Sequence, residues 1–174
     1  MTDDAAPPDI ATQLARLADA REAFAALRPR VLAGAPWPLA VDFGTGPEAS
    51  WGPREVLAHT AEMLPYWLGE YERLVEAGRA PGDPVPFGRA SGDLLRVGIL
   101  ERDRTLPLRE LFDRIDTGVQ RWIRRLGDAT DEEGAAVGRH GRLGDMTASR
   151  IRDRFVVTHL EEHAAQLEES LPAR

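Results

Sequence analysis

The sequence contains no cysteine, and this absence removes two kinds of structure at once. Neither a disulfide framework nor a zinc site built from thiolate ligands can form. A reducing compartment is the natural location for such a chain, so we expect the protein to be cytoplasmic.

Long hydrophobic runs are absent too. No stretch approaches the ~18 apolar residues that a membrane-spanning helix needs, and the acidic N-terminus lacks the apolar core of a signal peptide. The net charge of −7 also opposes general nucleic-acid binding, which needs clustered basic side chains. We therefore expect neither a membrane nor a nucleic acid as partner.

The residues that are present favour helices. Aromatic residues make up only 6% of the 174 residues, whereas Ala, Leu, Arg and Glu are abundant. These side chains lose little rotamer freedom in a helix. We predict a single domain over residues 1–174, in which residues 1–8 form a disordered N-terminus.

Apolar residues recur at helical intervals in four long stretches. This periodicity predicts helices over about 9–32, 53–77, 106–126 and 147–170. Asp9 and Thr147 are the expected N-caps of the first and last helices. The connections cover 34–52, 78–105 and 127–145. The long second connection should contain a short extra helix near 93–102. The fold class expected is all-α, a four-helix bundle.

Two of the four histidines, His159 and His163, form an H-L-E-E-H segment in the last predicted helix. Residues four apart lie on the same side of a helix, ~6 Å from each other. Both continue the apolar stripe of this helix, where an unsatisfied imidazole would carry a desolvation cost. We therefore predict that they share a metal ion. Alone, such a pair often arises by chance on an exposed helix face.

His59 lies one turn after Val56 in the second helix, so it can also face the bundle interior. As a third ligand it would leave coordination positions open for water or substrate. The alternative for His59 is a core histidine bonded to a backbone carbonyl. His140 lies in a loop context, where it anchors the loop or lines the mouth of the site.

Two carboxylates close to these histidines are candidates for catalysis. Glu62 follows His59 by three residues and Glu162 precedes His163. Either can orient an imidazole or act as a general base, and Glu55 and Gln166 are further candidates. The alternative for each is a solvated side chain on a polar helix face.

Three segments together resemble the DinB-like metalloprotein family. They are W-G-P-R-E-V-L-A-H (51–59), R-L-G-D-M-T (142–147) and H-L-E-E-H-A-A-Q-L (159–167). The resemblance implies an up-down-down-up four-helix bundle, often dimeric. Its metal is held by one His from the second helix and two from the fourth, which correspond to His59, His159 and His163.

The resemblance also implies the kind of function to expect. Related proteins include thiol-dependent transferases and isomerases, so we expect a metal-dependent enzyme, either a small-thiol S-transferase or a hydrolase. Zinc is the expected metal, with nickel or iron as alternatives. A low-mass thiol, a small-molecule substrate and a second copy of the chain are the expected partners. The alternative is a non-catalytic, metal-stabilised protein with a role in stress response or in protein interaction.

Overall fold

The periodic stretches of the sequence form a four-helix bundle, which confirms the predicted fold class. The computed structural model describes residues 6–41, 48–78 and 82–172. Its helices are α1 (Ile10–Ala33), α2 (Pro53–Gly78), α3 (Leu94–Asp103), α4 (Leu108–Gly127), α5 (Asp131–Ala135), α6 (Ala148–Arg152) and α7 (His159–Glu169). Three of the four long helices of the bundle are α1, α2 and α4. The fourth is a composite last helix that consists of α6, a π-helical segment at Asp153–Thr158, and α7. The predicted extra helix is α3.

Local hydrogen bonds explain where the helices begin. The side chain of Asp9 accepts a hydrogen bond from the backbone N–H of Thr12, at 2.7 Å. Thr147 caps α6 in the same way, so both predicted N-caps are confirmed. Residues 1–5 of the predicted disordered N-terminus lie outside the described residues. None of the described helices is both long and apolar enough to cross a bilayer.

Contacts between the long helices give their directions. α2 and α4 run parallel to each other, α1 and α4 run antiparallel, and α1 runs parallel to the last helix. The contacts are Leu64–Trp122 and Tyr71–Arg125 for the first pair, Arg21–Asp116 and Arg28–Asp113 for the second, and Arg16–Asp153 and Arg30–Glu168 for the third. These directions match the up-down-down-up order that the family resemblance implies.

A small sheet forms where irregular connections were predicted, so the prediction of a loop over 127–145 is wrong in part. The strands are β1 (Val85–Phe87), β2 (Val137–His140) and β3 (Gly144–Thr147), in the order β1-β2-β3. β1 pairs with β2 in parallel, although more than forty residues separate them in the chain. Strands of three or four residues carry too little apolar alternation to be detected by periodicity.

The π-helical segment changes which side of the last helix faces the core. Ile151 and Arg152 are buried just before it, and Val156 and Val157 are buried within it. An uninterrupted α-helix would bury residues 155 and 156 instead, because its period is 3.6 residues. Phe155 is therefore only partly buried. The π-helical segment ends at Thr158, one residue before His159, the first of the histidine pair.

α2 and α4 pack closely against each other at a glycine of α4. The indole N–H of Trp122 donates a hydrogen bond to the Leu64 carbonyl across this contact, at 3.0 Å. A Cβ added at Gly118 would lie 2.8 Å from Leu64 Cδ1 and 2.9 Å from Leu64 Cβ. Glycine at this position is therefore a packing requirement.

We predict that Gly118→Ala destabilises the protein by roughly 1–3 kcal/mol, because the new methyl group overpacks the contact with Leu64. Gly69→Ala in α2 is the matched control, since a Cβ there meets nothing within 4 Å. That control should gain about 0.5–1 kcal/mol from helix propensity. Urea unfolding of both variants measures the difference, and equal stabilities would contradict the packing argument.

Candidate metal centre

The bundle brings three of the four histidines together. His59 extends from α2, and His159 and His163 lie one turn apart at the start of α7. His59 and His163 are buried, whereas about a quarter of the His159 side chain, 27%, is exposed. A fourth group, Glu48, comes from a single 3₁₀ turn at Glu48–Ser50, just before α2.

The ring nitrogens lie at separations that suit a shared metal ion. His59 Nε2 and His163 Nε2 are each 3.0 Å from His159 Nε2. One ligand atom from each of these histidines and from Glu48 lies within 4.8 Å of the others. Nitrogens that bind one metal ion at ~2.0–2.1 Å are roughly 3 Å apart. The donor set therefore fits a divalent transition metal.

All three imidazoles are held in the neutral form that binds metals. Burial, followed by the charges of the neighbouring histidines, places the pKa of His59 well below its usual 6.5. Burial also lowers the pKa of His159 to about 4 and that of His163 to about 4. Lone pairs are consequently available near neutral pH.

Gln166 determines which nitrogen of His163 faces the cluster. The amide nitrogen of Gln166 donates to the backbone carbonyl of Glu48 at 2.6 Å, so its oxygen faces His163 Nδ1, at 2.9 Å. That oxygen can only accept, which places the proton of His163 on Nδ1 and the lone pair on Nε2. Gln166 was one of the weaker sequence candidates for this role.

Arg96 and Glu48 are neighbours of the cluster that the sequence did not indicate. Arg96 is buried, its Nη2 donates to Glu48 Oε1 at 2.7 Å, and the same atom lies 3.4 Å from His59 Nδ1. The shorter distance shows that the carboxylate is the main partner of the guanidinium. Glu48 lies in a single turn before α2 and Arg96 in the short helix α3, far from the histidines in the chain, so neither a motif nor a helical spacing indicated that they reach the cluster.

The two predicted catalytic carboxylates differ in their positions. Glu62 is buried, and both of its oxygens accept hydrogen bonds from Arg89 Nη2. Glu162 is 67% exposed, and its Oε2 lies 3.5 Å from His159 Nδ1. Glu55, a further candidate, accepts a hydrogen bond from the backbone N–H of Ala40, at 2.9 Å. A catalytic role for Glu62 or Glu162 stays a prediction.

His140 belongs to the wall of the site and not to the cluster. Its Nδ1 accepts hydrogen bonds from the backbone N–H groups of Arg142 and Leu143, at 3.2 and 3.3 Å, and so anchors the turn between β2 and β3. Its ring stacks on Phe155 at a centroid distance of 5.6 Å. Both sequence expectations for His140, anchoring a loop and lining the mouth, describe this position.

A cavity of about 600 Å³ leads from the surface to the cluster. His59, His159 and Glu48 line it. Other parts of its wall come from α2, β1 and the segment 88–91 that follows it, α3, the end of β2 with the β2–β3 turn, and the π-helical segment. This volume is typical of small-molecule sites. The cluster is thus accessible to a ligand that is larger than water.

Comparison with known proteins gives one family. A sequence model of the DinB superfamily matches residues 28–167, which include all four residues of the cluster. No curated protein and no solved structure matches the chain.

We predict that the metal-free protein loses stability as the pH falls from about 7 toward 4. The unfolded chain binds protons at its histidines near pH 6.5, whereas His159 and His163 bind them only near pH 4 when folded. Between these values the unfolded state holds more protons, so the free energy of unfolding decreases, by about 2 kcal/mol for each histidine at pH 5.

Urea unfolding of chelator-treated protein at pH 7.5 and at pH 5 measures this loss. His159→Gln removes one of the titrating groups and should reduce the loss. An equal loss in the variant and in the wild type would contradict the assignment to buried histidines.

Proposed function

Since the chain belongs to the DinB superfamily, we propose that it is a metal-dependent enzyme that acts on a small molecule, as a thiol S-transferase or as a hydrolase. The proposal is supported mainly by one observation. Three neutral imidazoles converge beside an open cavity, with the Nε2 atoms of His59 and His163 each 3.0 Å from that of His159. Catalytic metal sites combine three protein ligands with such an open side.

The proposed ligands are His59, His159 and His163, with zinc as the expected ion and nickel or iron as alternatives. A divalent ion supplies Lewis acidity, which lowers the pKa of a bound water or thiol toward neutrality. Neighbouring residues of the chain orient the groups that would bind this ion. Gln166 orients the ring of His163, and Arg96 holds the Glu48 carboxylate beside the cluster.

A non-catalytic metal site is the second candidate, and Glu48 is the observation that favours it. With Glu48 as a fourth ligand the set would consist of four protein groups, as in structural zinc sites. Against this, the cavity reaches His59, His159 and Glu48 themselves. A homodimer and a cytoplasmic location stay predictions.

We predict that the purified protein binds one divalent metal ion per chain, and that His159→Ala lowers the affinity by more than ~100-fold, because it removes a ligand from the centre of the cluster. His140→Ala is the matched control, since it removes the one histidine outside the cluster. Elemental analysis and competition with a chelator measure both values. Full metal content in His159→Ala would contradict the site.

Turnover assays of metal-loaded and metal-free protein separate the candidate functions. Hydrolysis of aryl esters without added thiol supports a hydrolase. Consumption of an electrophile that requires a low-mass thiol supports an S-transferase. If neither occurs and chelation only lowers the melting temperature, the metal has a structural role and the proposed enzyme is wrong.

We predict that Gln166→Ala lowers metal affinity by about 10–100-fold, because His163 loses the acceptor that keeps its proton on Nδ1. Gln166→Glu retains an acceptor oxygen and should recover most of the affinity, although it cannot donate to the Glu48 carbonyl. Gln120→Ala in α4 is the control, since Gln120 bonds only to Asp116 among the described residues. If Gln166→Glu binds metal as poorly as Gln166→Ala, the amide acts by supporting Glu48 instead.

A further inference from the structure

The cavity that leads to the histidine cluster is positively charged, although the protein is acidic. Among the residues that the structure describes, four arginines line it but only one carboxylate, that of Glu48. The net charge of the whole chain is −7, and the sequence contains no lysine. Its basic side chains are all guanidinium groups, and four of them are concentrated at this one cavity.

Two of the four arginines are neutralised within the protein. Arg89 pairs with Glu62 and Arg96 pairs with Glu48. The other two, Arg142 and Arg154, have no carboxylate partner within residues 6–41, 48–78 and 82–172. Both are exposed, and they therefore leave a positive charge at the cavity that is free to meet a ligand.

Different elements bring these two arginines together. Arg142 lies in the turn between β2 and β3, and Arg154 lies in the π-helical segment. His140 stands near both, and their charges add to the effect of burial in lowering its pKa. Because both guanidinium groups line one cavity, they can act on the same ligand.

The wall beside the arginines is apolar and rigid. Phe155 is stacked between Trp67 and His140, with centroid distances of 4.4 and 5.6 Å. Phe87 meets the ring of Phe155 edge-on, at 6.3 Å. The rings pack on one another, so the cavity lined by the two arginines and by His59 and His159 also offers a preformed apolar surface.

We propose that the cavity selects small organic anions, with Arg142 and Arg154 binding the anionic group and the aromatic wall packing against the apolar body of the ligand. Guanidinium groups bind carboxylate and phosphate oxygens in a bidentate manner. The volume of about 600 Å³ accommodates one small molecule. In this arrangement the end of the ligand opposite the anionic group faces the histidines. Only the reaction at that end rests on the proposed function.

Binding of three probes with the same ring system tests the selectivity. The probes are 2-naphthoate, 2-naphthyl phosphate and the neutral 2-naphthalenemethanol, titrated by calorimetry into the protein as purified. We expect at least one of the two anions to bind tenfold or more tightly than the alcohol. The tighter anion identifies the preferred group. An alcohol that binds as tightly as both anions overturns the proposal.

Substitution of the arginines tests their role. Arg142→Gln/Arg154→Gln should abolish the preference for the anion and leave the affinity for the alcohol within about twofold. The matched control is Arg109→Gln/Arg124→Gln, which removes two exposed arginines of α4 outside the cavity and should keep the preference. A preference that survives in the first variant overturns the proposal. The alcohol titration shows in each variant that the cavity is still formed.

The same titrations in chelator-treated protein distinguish this inference from the proposed function. A carboxylate that bound only to the metal would lose its affinity there, which would overturn a role for the arginines. If the preference for the anion persists without metal while no metal-dependent turnover is found, the proposed enzyme fails and the anion site remains.

Discussion

The burial of three imidazoles with their nitrogens facing one another is the constraint on which the rest of the site depends. His59 and His163 are each 3.0 Å from His159, in surroundings that keep all three uncharged. Buried polar groups need partners, and a cluster of lone pairs finds its best partner in a cation. Two long helices, α2 and α7, must stay in register for this cluster to exist, which links the site to the packing of the whole bundle.

Hydrogen bonds from neighbouring residues connect the histidine cluster to the rest of the structure. Gln166 bonds to His163 and to the Glu48 carbonyl, so a single amide joins α7 to the turn before α2. Arg96 reaches the same turn from α3 through its bond to Glu48. Metal-binding histidines are usually oriented in this way by a second set of hydrogen bonds. The turn at Glu48 is thus held by hydrogen bonds from two helices, α7 and α3.

The connections between the helices and the π-helical segment of the last helix form much of the cavity through which a ligand reaches the cluster. The sheet and the π-helical segment together form the outer wall of the cavity, with Phe155 placed there by the shift that the π-helix introduces. π-Helical turns are frequently found at functional sites, because the extra residue changes the direction of a few side chains without ending the helix. Here the change moves an aromatic ring from the core to the ligand cavity and places Arg154 beside it.

Local interactions made the helices, the Asp9 and Thr147 caps and the pairing of His159 with His163 predictable, since each depends on residues within one or two helical turns. The position of His59 one turn after Val56, together with the family resemblance, then added this third ligand, which lies 100 residues from His159 in the chain. Only the tertiary structure decided the positions of Glu48 and Arg96, the pairing of β1 with β2 and the free charge at the cavity. These depend on contacts between distant segments, such as the bond across 118 residues from Gln166 to Glu48. Neither periodicity nor spacing contains information about such contacts, because the packing of the folded chain creates them.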